Sequence, residues 1–134
     1  MKLNLFKKLV AVGLCFSIFF ATSMNSYATE VMSSINPRYT YISNYSMSLS
    51  TENGNAHMFG TLASKVTGVE CYIKANLEKL TGSYWMQMKS FESTGIGATT
   101  LMADHPITSG TYRVMCTFRC HTETQTAYTG NKTY

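Results

Sequence analysis

The side chains best suited to covalent, metal or proton-transfer chemistry are Cys71, Cys116, Cys120, His57, His105, His121 and the single aspartate, Asp104. Thiolate and imidazole are the usual ligands of zinc, so Cys116-x-x-x-Cys120-His121, joined by His57 or His105, has the right donor types. The spacing does not fit one ion. On an extended strand Cys120 and His121 face opposite ways, and Cys116 lies about 13 Å from Cys120, whereas zinc–sulfur bonds are about 2.3 Å long. No metal site and no cofactor is expected. Asp104 beside His105 could orient a proton transfer, but adjacency in sequence does not bring two side chains together. No serine stands in a Gly-x-Ser-x-Gly elbow and no pair of buried carboxylates is evident. The chain is therefore not expected to be an enzyme, with a hydrolase or enzyme inhibitor as the minority alternative.

The other chemistry open to this composition is stacking. Nine tyrosines and one tryptophan can cover the apolar faces of sugars or anchor a protein interface, and Tyr39, Tyr41, Tyr45, Tyr84, Trp85, Tyr128 and Tyr134 form the pool. Small β domains also fill their cores with such residues. Tyr84 and Trp85 are adjacent, so only one can point inward on a regular strand, and these two are the ligand-binding candidates.

The elements that must position these residues are strands. From Arg38 to Leu49, residues Tyr39, Tyr41, Tyr45, Met47 and Leu49 share one parity against Thr40, Asn44, Ser46 and Ser48, the period of a half-buried strand. Asn53-Gly54 is a strong hairpin signal, because both residues accept the positive φ of a type I′ turn. Ala56, Met58, Gly60 and Leu62 then form a second inner face. Val69, Cys71, Ile73, Ala75 and Leu77 form a third, opposed by Glu70, Lys74, Asn76 and Glu78. Thr81-Gly82-Ser83 turns the chain into Tyr84–Phe91, where Trp85, Met86, Met88 and Phe91 fit neither parity and predict a bulge. Ile96, Ala98, Thr100 and Met102 mark a fifth strand, and His105-Pro106 to Gly110 a longer connection. Tyr112, Val114, Cys116, Phe118 and Cys120 mark a sixth, and Gln125–Tyr134 a seventh.

Seven short strands without helical periodicity predict an all-β, antiparallel, immunoglobulin-like or fibronectin-like β-sandwich over residues 38–134, since a parallel sheet would need crossover helices. Tyr112, in Gly110-Thr111-Tyr112-Arg113-Val114 before the sixth strand, is the candidate tyrosine corner. Residues 29–37, ending in Asn36-Pro37, read as a flexible lead-in.

Ahead of that domain, Lys2, Lys7 and Lys8 precede an uncharged apolar run from Leu9 to Ala21, the pattern of a signal peptide. The run is shorter than the ~20 residues of a bilayer-spanning helix, so no permanent membrane span is expected. Ser26-Tyr27-Ala28 predicts cleavage after Ala28 and a secreted product. Cys15 lies within the apolar run and is preceded by Gly13-Leu14, which argues against lipidation. Three of the eleven basic residues leave with residues 1–28, so eight remain against seven acidic ones. So balanced a domain lacks the basic footprint of a nucleic-acid binder.

Pro37-Arg38-Tyr39-Thr40-Tyr41-Ile42, the stretch from Gly82-Ser83-Tyr84-Trp85 to Lys89-Ser90-Phe91, and Gly110-Thr111-Tyr112-Arg113-Val114 together resemble a family of small secreted Gram-positive bacterial proteins that carry a β-sandwich domain of unknown function. The resemblance spans nearly all of the mature chain. It implies the compartment and the fold, and no catalytic residue.

An exported chain makes a disulfide plausible, with one of the three mature cysteines left over. If the strand of Cys71 is third of seven, it neighbours the sixth in one sheet and its start lies beside Cys120. If Cys71 and Trp85 instead mimic the immunoglobulin spacing, Cys71 sits on the opposite sheet and faces Cys116. The first arrangement uses all seven strands. Three buried reduced thiols are the remaining possibility. The composition thus points first to a secreted, non-catalytic binding or adhesion module for a glycan or surface protein. The alternative is a structural envelope protein that pairs through edge strands.

Overall fold

The computed structural model describes residues 30–34 and 38–134, with side chains from Arg38 onward. The expected signal peptide and its cleavage point lie outside the described residues. Within them the chain folds into nine strands and no helix: β1 (Glu30–Ser34), β2 (Ile42–Glu52), β3 (Asn55–Ser64), β4 (Glu70–Thr81), β5 (Tyr84–Ile96), β6 (Ala98–Pro106), β7 (Thr111–Cys120), β8 (Glu123–Tyr128) and β9 (Lys132–Thr133). Two antiparallel sheets result. One has the order β1-β2-β3-β6; the other has β5-β4-β7-β8, with β9 pairing the start of β7 beyond the end of β8.

Local chemistry sets the connections. Asn53 (φ 49°) and Gly54 (φ 76°) are the two loop residues between β2 and β3, both left-handed as a type I′ turn requires. The chain leaves one sheet for the other between β5 and β6, where the backbone folds so tightly that a Cβ on Gly95 would meet the carbonyl oxygen of Ala98. Ser93 Oγ lies 2.7 Å from Thr99 Oγ1 and donates to the carbonyl of Thr100 at 2.8 Å across this corner.

The inner faces carry the core. Tyr45, Met47 and Leu49 of β2, Ala56, Met58 and Leu62 of β3, Cys71, Ile73, Ala75 and Leu77 of β4, and Tyr112, Val114, Cys116, Phe118 and Cys120 of β7 are all buried. These are the rows that alternation predicts. The two layers meet where the Tyr45 and Phe118 rings pack with centroids 4.7 Å apart. Each such large apolar side chain contributes roughly 1.5–3 kcal/mol on burial. Glu123, at the start of β8, joins the layers at one edge by accepting the backbone N–H groups of Thr40, Tyr41 and Ile42 at 2.6, 2.8 and 2.9 Å.

Four details differ from expectation. Glu30–Ser34, within the expected lead-in, is a strand that pairs with Tyr45–Leu49. The buried residue at the start of β2 is Ile42 rather than Tyr41, because the register shifts between Ile42 and Asn44. Ile96, Ala98, Thr100 and Met102 are exposed, whereas Thr99 and Leu101 are buried. And β6 continues through His105-Pro106, so the connection to β7 starts at Ile107.

Candidate recognition surface

Residues that alternate with the core of β4 and β7 necessarily face outward. Glu78 of β4 lies opposite both Gln87 of β5 and Arg113 of β7, Leu80 lies opposite Trp85, and Met115 opposite Tyr128 of β8. Trp85, Glu78, Arg113 and Tyr128 therefore share one face across four strands. Arg113 Nε donates to Glu78 Oε2 at 2.7 Å. Its guanidinium carbon lies 4.2 Å from the Trp85 ring centroid and 4.5 Å from that of Tyr128. One planar cation thus contacts two aromatic faces and is held edge-on by a carboxylate. Such stacking suits arginine, whose flat, weakly hydrated head packs on aromatic rings better than an ammonium does.

One row further along β4, Asn76 lies opposite Ser90 and Met115. Asn76 Oδ1 and Ser90 Oγ are buried with no hydrogen-bond partner in the protein, an arrangement that ordinarily costs about 1–3 kcal/mol per group. Beyond them the Arg119 guanidinium lies 4.8 Å from the Tyr72 ring and 3.6 Å from Glu70, and Lys74 lies 3.4 Å from Glu92. Burial first, and then the Glu92 carboxylate, push the Tyr72 hydroxyl above its ordinary pKa. Each of these cations is paired with an acid, so this face offers rings and hydrogen-bonding groups rather than net charge.

The outer face of the other sheet is different. Ser50, His57 and Asp104 lie in one row across β2, β3 and β6, and His57 Nδ1 donates to Asp104 Oδ1 at 2.6 Å. Together with Ser48, Phe59 and Met102 they line an open groove of about 390 Å³. The row has the residue types of a hydrolytic triad, but no hydrogen bond joins Ser50 to His57 among the described residues. His105, next to Asp104 in sequence, points to the other side of β6, away from it, and packs edge-on to Phe91 at 6.3 Å. No group of three metal-ligating side chains occurs among the described residues.

The structure separates the two aromatic candidates. Trp85 joins the Arg113 stack, while Tyr84 projects from the opposite side of β5 and is exposed. The parity that hid this is resolved by a register shift: Leu77 pairs Lys89 and Glu78 pairs Gln87, leaving Met88 as the bulged residue. Tyr112 is buried at the start of β7, and its hydroxyl donates to the carbonyl of Thr108 at 2.7 Å. Cys71 and Cys120 are direct cross-strand partners, with sulfurs 2.8 Å apart. Cys116 is paired with Ala75 in the same sheet, so Cys71 does not face it from the opposite one. Arg113 and Glu78 escaped the sequence reading. The signal for them was their place on wet faces of the two clearest strands, and only the pairing register turns that into a contact.

No protein-family model matches the chain, and neither the curated proteins nor the solved structures contain a significant match.

Proposed function

We propose that the chain is an exported, non-catalytic binding module that recognises a glycan through the outer face of the β5-β4-β7-β8 sheet. The single observation that carries this reading is the Trp85–Arg113–Tyr128 stack, a contiguous aromatic and cationic surface on a rigid sheet. Pyranose rings present apolar C–H faces to such rings, and the arginine and neighbouring polar groups meet their hydroxyls.

Two further readings accompany this. An immunoglobulin-like or fibronectin-like identity is supported by treating β2 to β8 as seven strands, three in one sheet and four in the other. Tyr112 then bonds back four residues near the start of the sixth, as a tyrosine corner does. Membership of the secreted Gram-positive family rests on the residues shared with it, and secretion on the leader pattern.

The test is binding of the full chain, produced with export, to immobilised polysaccharides and to cell envelope. Trp85→Ala is expected to weaken binding at least tenfold, in line with the loss of a buried aromatic anchor, with folding checked by thermal melting. Binding that Trp85→Ala and Tyr128→Ala leave unchanged would move recognition off this face. The specific observation favouring a structural, strand-pairing role is β5. It is a thirteen-residue edge strand with Tyr84, Met86 and Met88 exposed, and concentration-dependent dimerisation without glycan binding would select that role.

A further inference from the structure

Cys71 and Cys120 sit in a geometry that two thiols rarely share without being linked. They are directly opposite in the antiparallel β4–β7 ladder. The adjacent pair, Glu70 and His121, is hydrogen-bonded through the His121 N–H and the Glu70 carbonyl. Hydrogen-bonded and non-hydrogen-bonded pairs alternate along such a ladder, so Cys71 and Cys120 form a non-hydrogen-bonded pair. Their Cα separation there is about 4.5 Å, inside the roughly 4.4–6.8 Å span of disulfides. Both side chains are fully buried, and their sulfurs already lie 2.8 Å apart. Cys116 is on the same face of β7 but four residues away, beside Ala75, out of reach of either sulfur.

We propose that Cys71 and Cys120 are joined as an intramolecular disulfide during folding, by exchange with an external disulfide, while Cys116 stays a reduced core thiol. A thiolate of one cysteine attacks the external disulfide and expels one thiol; the second cysteine then attacks the mixed disulfide and expels the other. Two protein thiols lose two electrons and two protons, and the oxidant is reduced to two thiols. The exchange has to precede closure of the core. In the folded domain neither sulfur is accessible, and burial raises the Cys120 thiol above its ordinary pKa, with the neighbouring Cys71 adding to the rise. Burial likewise lifts Cys116 to about 12, which leaves it unreactive.

The experiment is thiol counting and peptide mapping on the exported full chain, denatured without reductant in an alkylating agent. Cys116 alone of the three domain cysteines is expected to be alkylated, with residues 71 and 120 in one cross-linked peptide about 2 Da lighter than the sum of its reduced halves. Reduction, or Cys71→Ser, is expected to lower the melting temperature by roughly 10 °C, and Cys116→Ser to leave the cross-link intact. Three alkylated thiols, or a link that includes Cys116, would overturn the assignment without needing any variant to fold. The order of events is tested with the wild-type chain. Oxidised glutathione should form the link at least tenfold faster during refolding from reduced denaturant than in folded, reduced protein, and equal rates would overturn it.

Discussion

The two outer faces of the sandwich each carry one short contact between a carboxylate and a nitrogen base, of nearly the same length, and the two pairs are not equivalent. His57–Asp104 spans 2.6 Å with side chains 41 and 71% exposed, and Arg113–Glu78 spans 2.7 Å with side chains 24 and 12% exposed. Distance is shared; surroundings are not. Water screens the first pair on both sides, whereas the second is walled by Trp85 and Tyr128 and works in a lower effective dielectric. The same contact is then a minor surface feature on one sheet and an organising element on the other. The covering rings fix the guanidinium, and the guanidinium in turn fixes the rings, so the proposed recognition surface is preorganised at little cost in side-chain freedom.

Removing one partner from each pair breaks this comparison most directly. Glu78→Ala leaves Arg113 half-buried without its acceptor and is expected to cost about 2 kcal/mol. That corresponds to roughly 10 °C in melting temperature for a domain of this size. Glycan binding should fall with it, since the stack loses its edge restraint. A loss below about 0.5 kcal/mol in a denaturant titration would mean that the rings contribute nothing to the pair.

A second prediction concerns the carboxylate that joins the two layers. Burial acts to raise the Glu123 pKa, but the three backbone N–H groups it accepts outweigh this and hold it below the ordinary 4.5. A carboxylate with a depressed folded-state pKa adds stability above its unfolded value and loses it as pH falls through the folded one. The melting temperature of wild type should therefore exceed that of Glu123→Gln near neutrality, with the gap closing as pH drops below about 4.5. A gap that persists unchanged at pH 2 would show that the anchoring is insensitive to charge.

Much of the fold was readable because period-two alternation reports the inner face of each strand without knowledge of its partners. Cys71, Ile73, Ala75 and Leu77, like Tyr112, Val114, Cys116 and Phe118, declare themselves by their neighbours. The outer face is not readable in that way. Glu78 and Arg113 are 35 residues apart and His57 and Asp104 are 47 apart, and each pair exists only once two strands are set in register. The bulge at Met88 concealed that Trp85 turns outward and Tyr84 away from it, because an extra residue reverses parity along β5. Around the β5–β6 corner the apolar Ile96, at the end of β5, and Met102 of β6 suggested an inner row that Thr99 and Leu101 occupy instead. Hydrophobicity was a poor guide where the outer face itself bears apolar residues such as Phe59. That Cys71 and Cys120 stand side by side on adjacent strands was reachable because it depends on which strands are neighbours, and the strand count suggested that.

The smallest expected effect completes the comparison between the two faces. Asp104→Asn removes the charge from the exposed pair while keeping an acceptor for the His57 ring N–H at the same place. Exposed pairs contribute about 0–1 kcal/mol, and here both partners regain solvation when the interaction weakens, so the change should lie below about 0.5 kcal/mol in denaturant titration. Added salt provides the independent check. Screening should erase what little the variant loses, while the Glu78→Ala deficit should survive, because mobile ions cannot enter between the guanidinium and the rings. If instead Asp104→Asn costs as much as Glu78→Ala, burial is not what separates the two faces. The Ser50–His57–Asp104 row lining the groove would then be held by restraints stronger than those of a solvated surface pair.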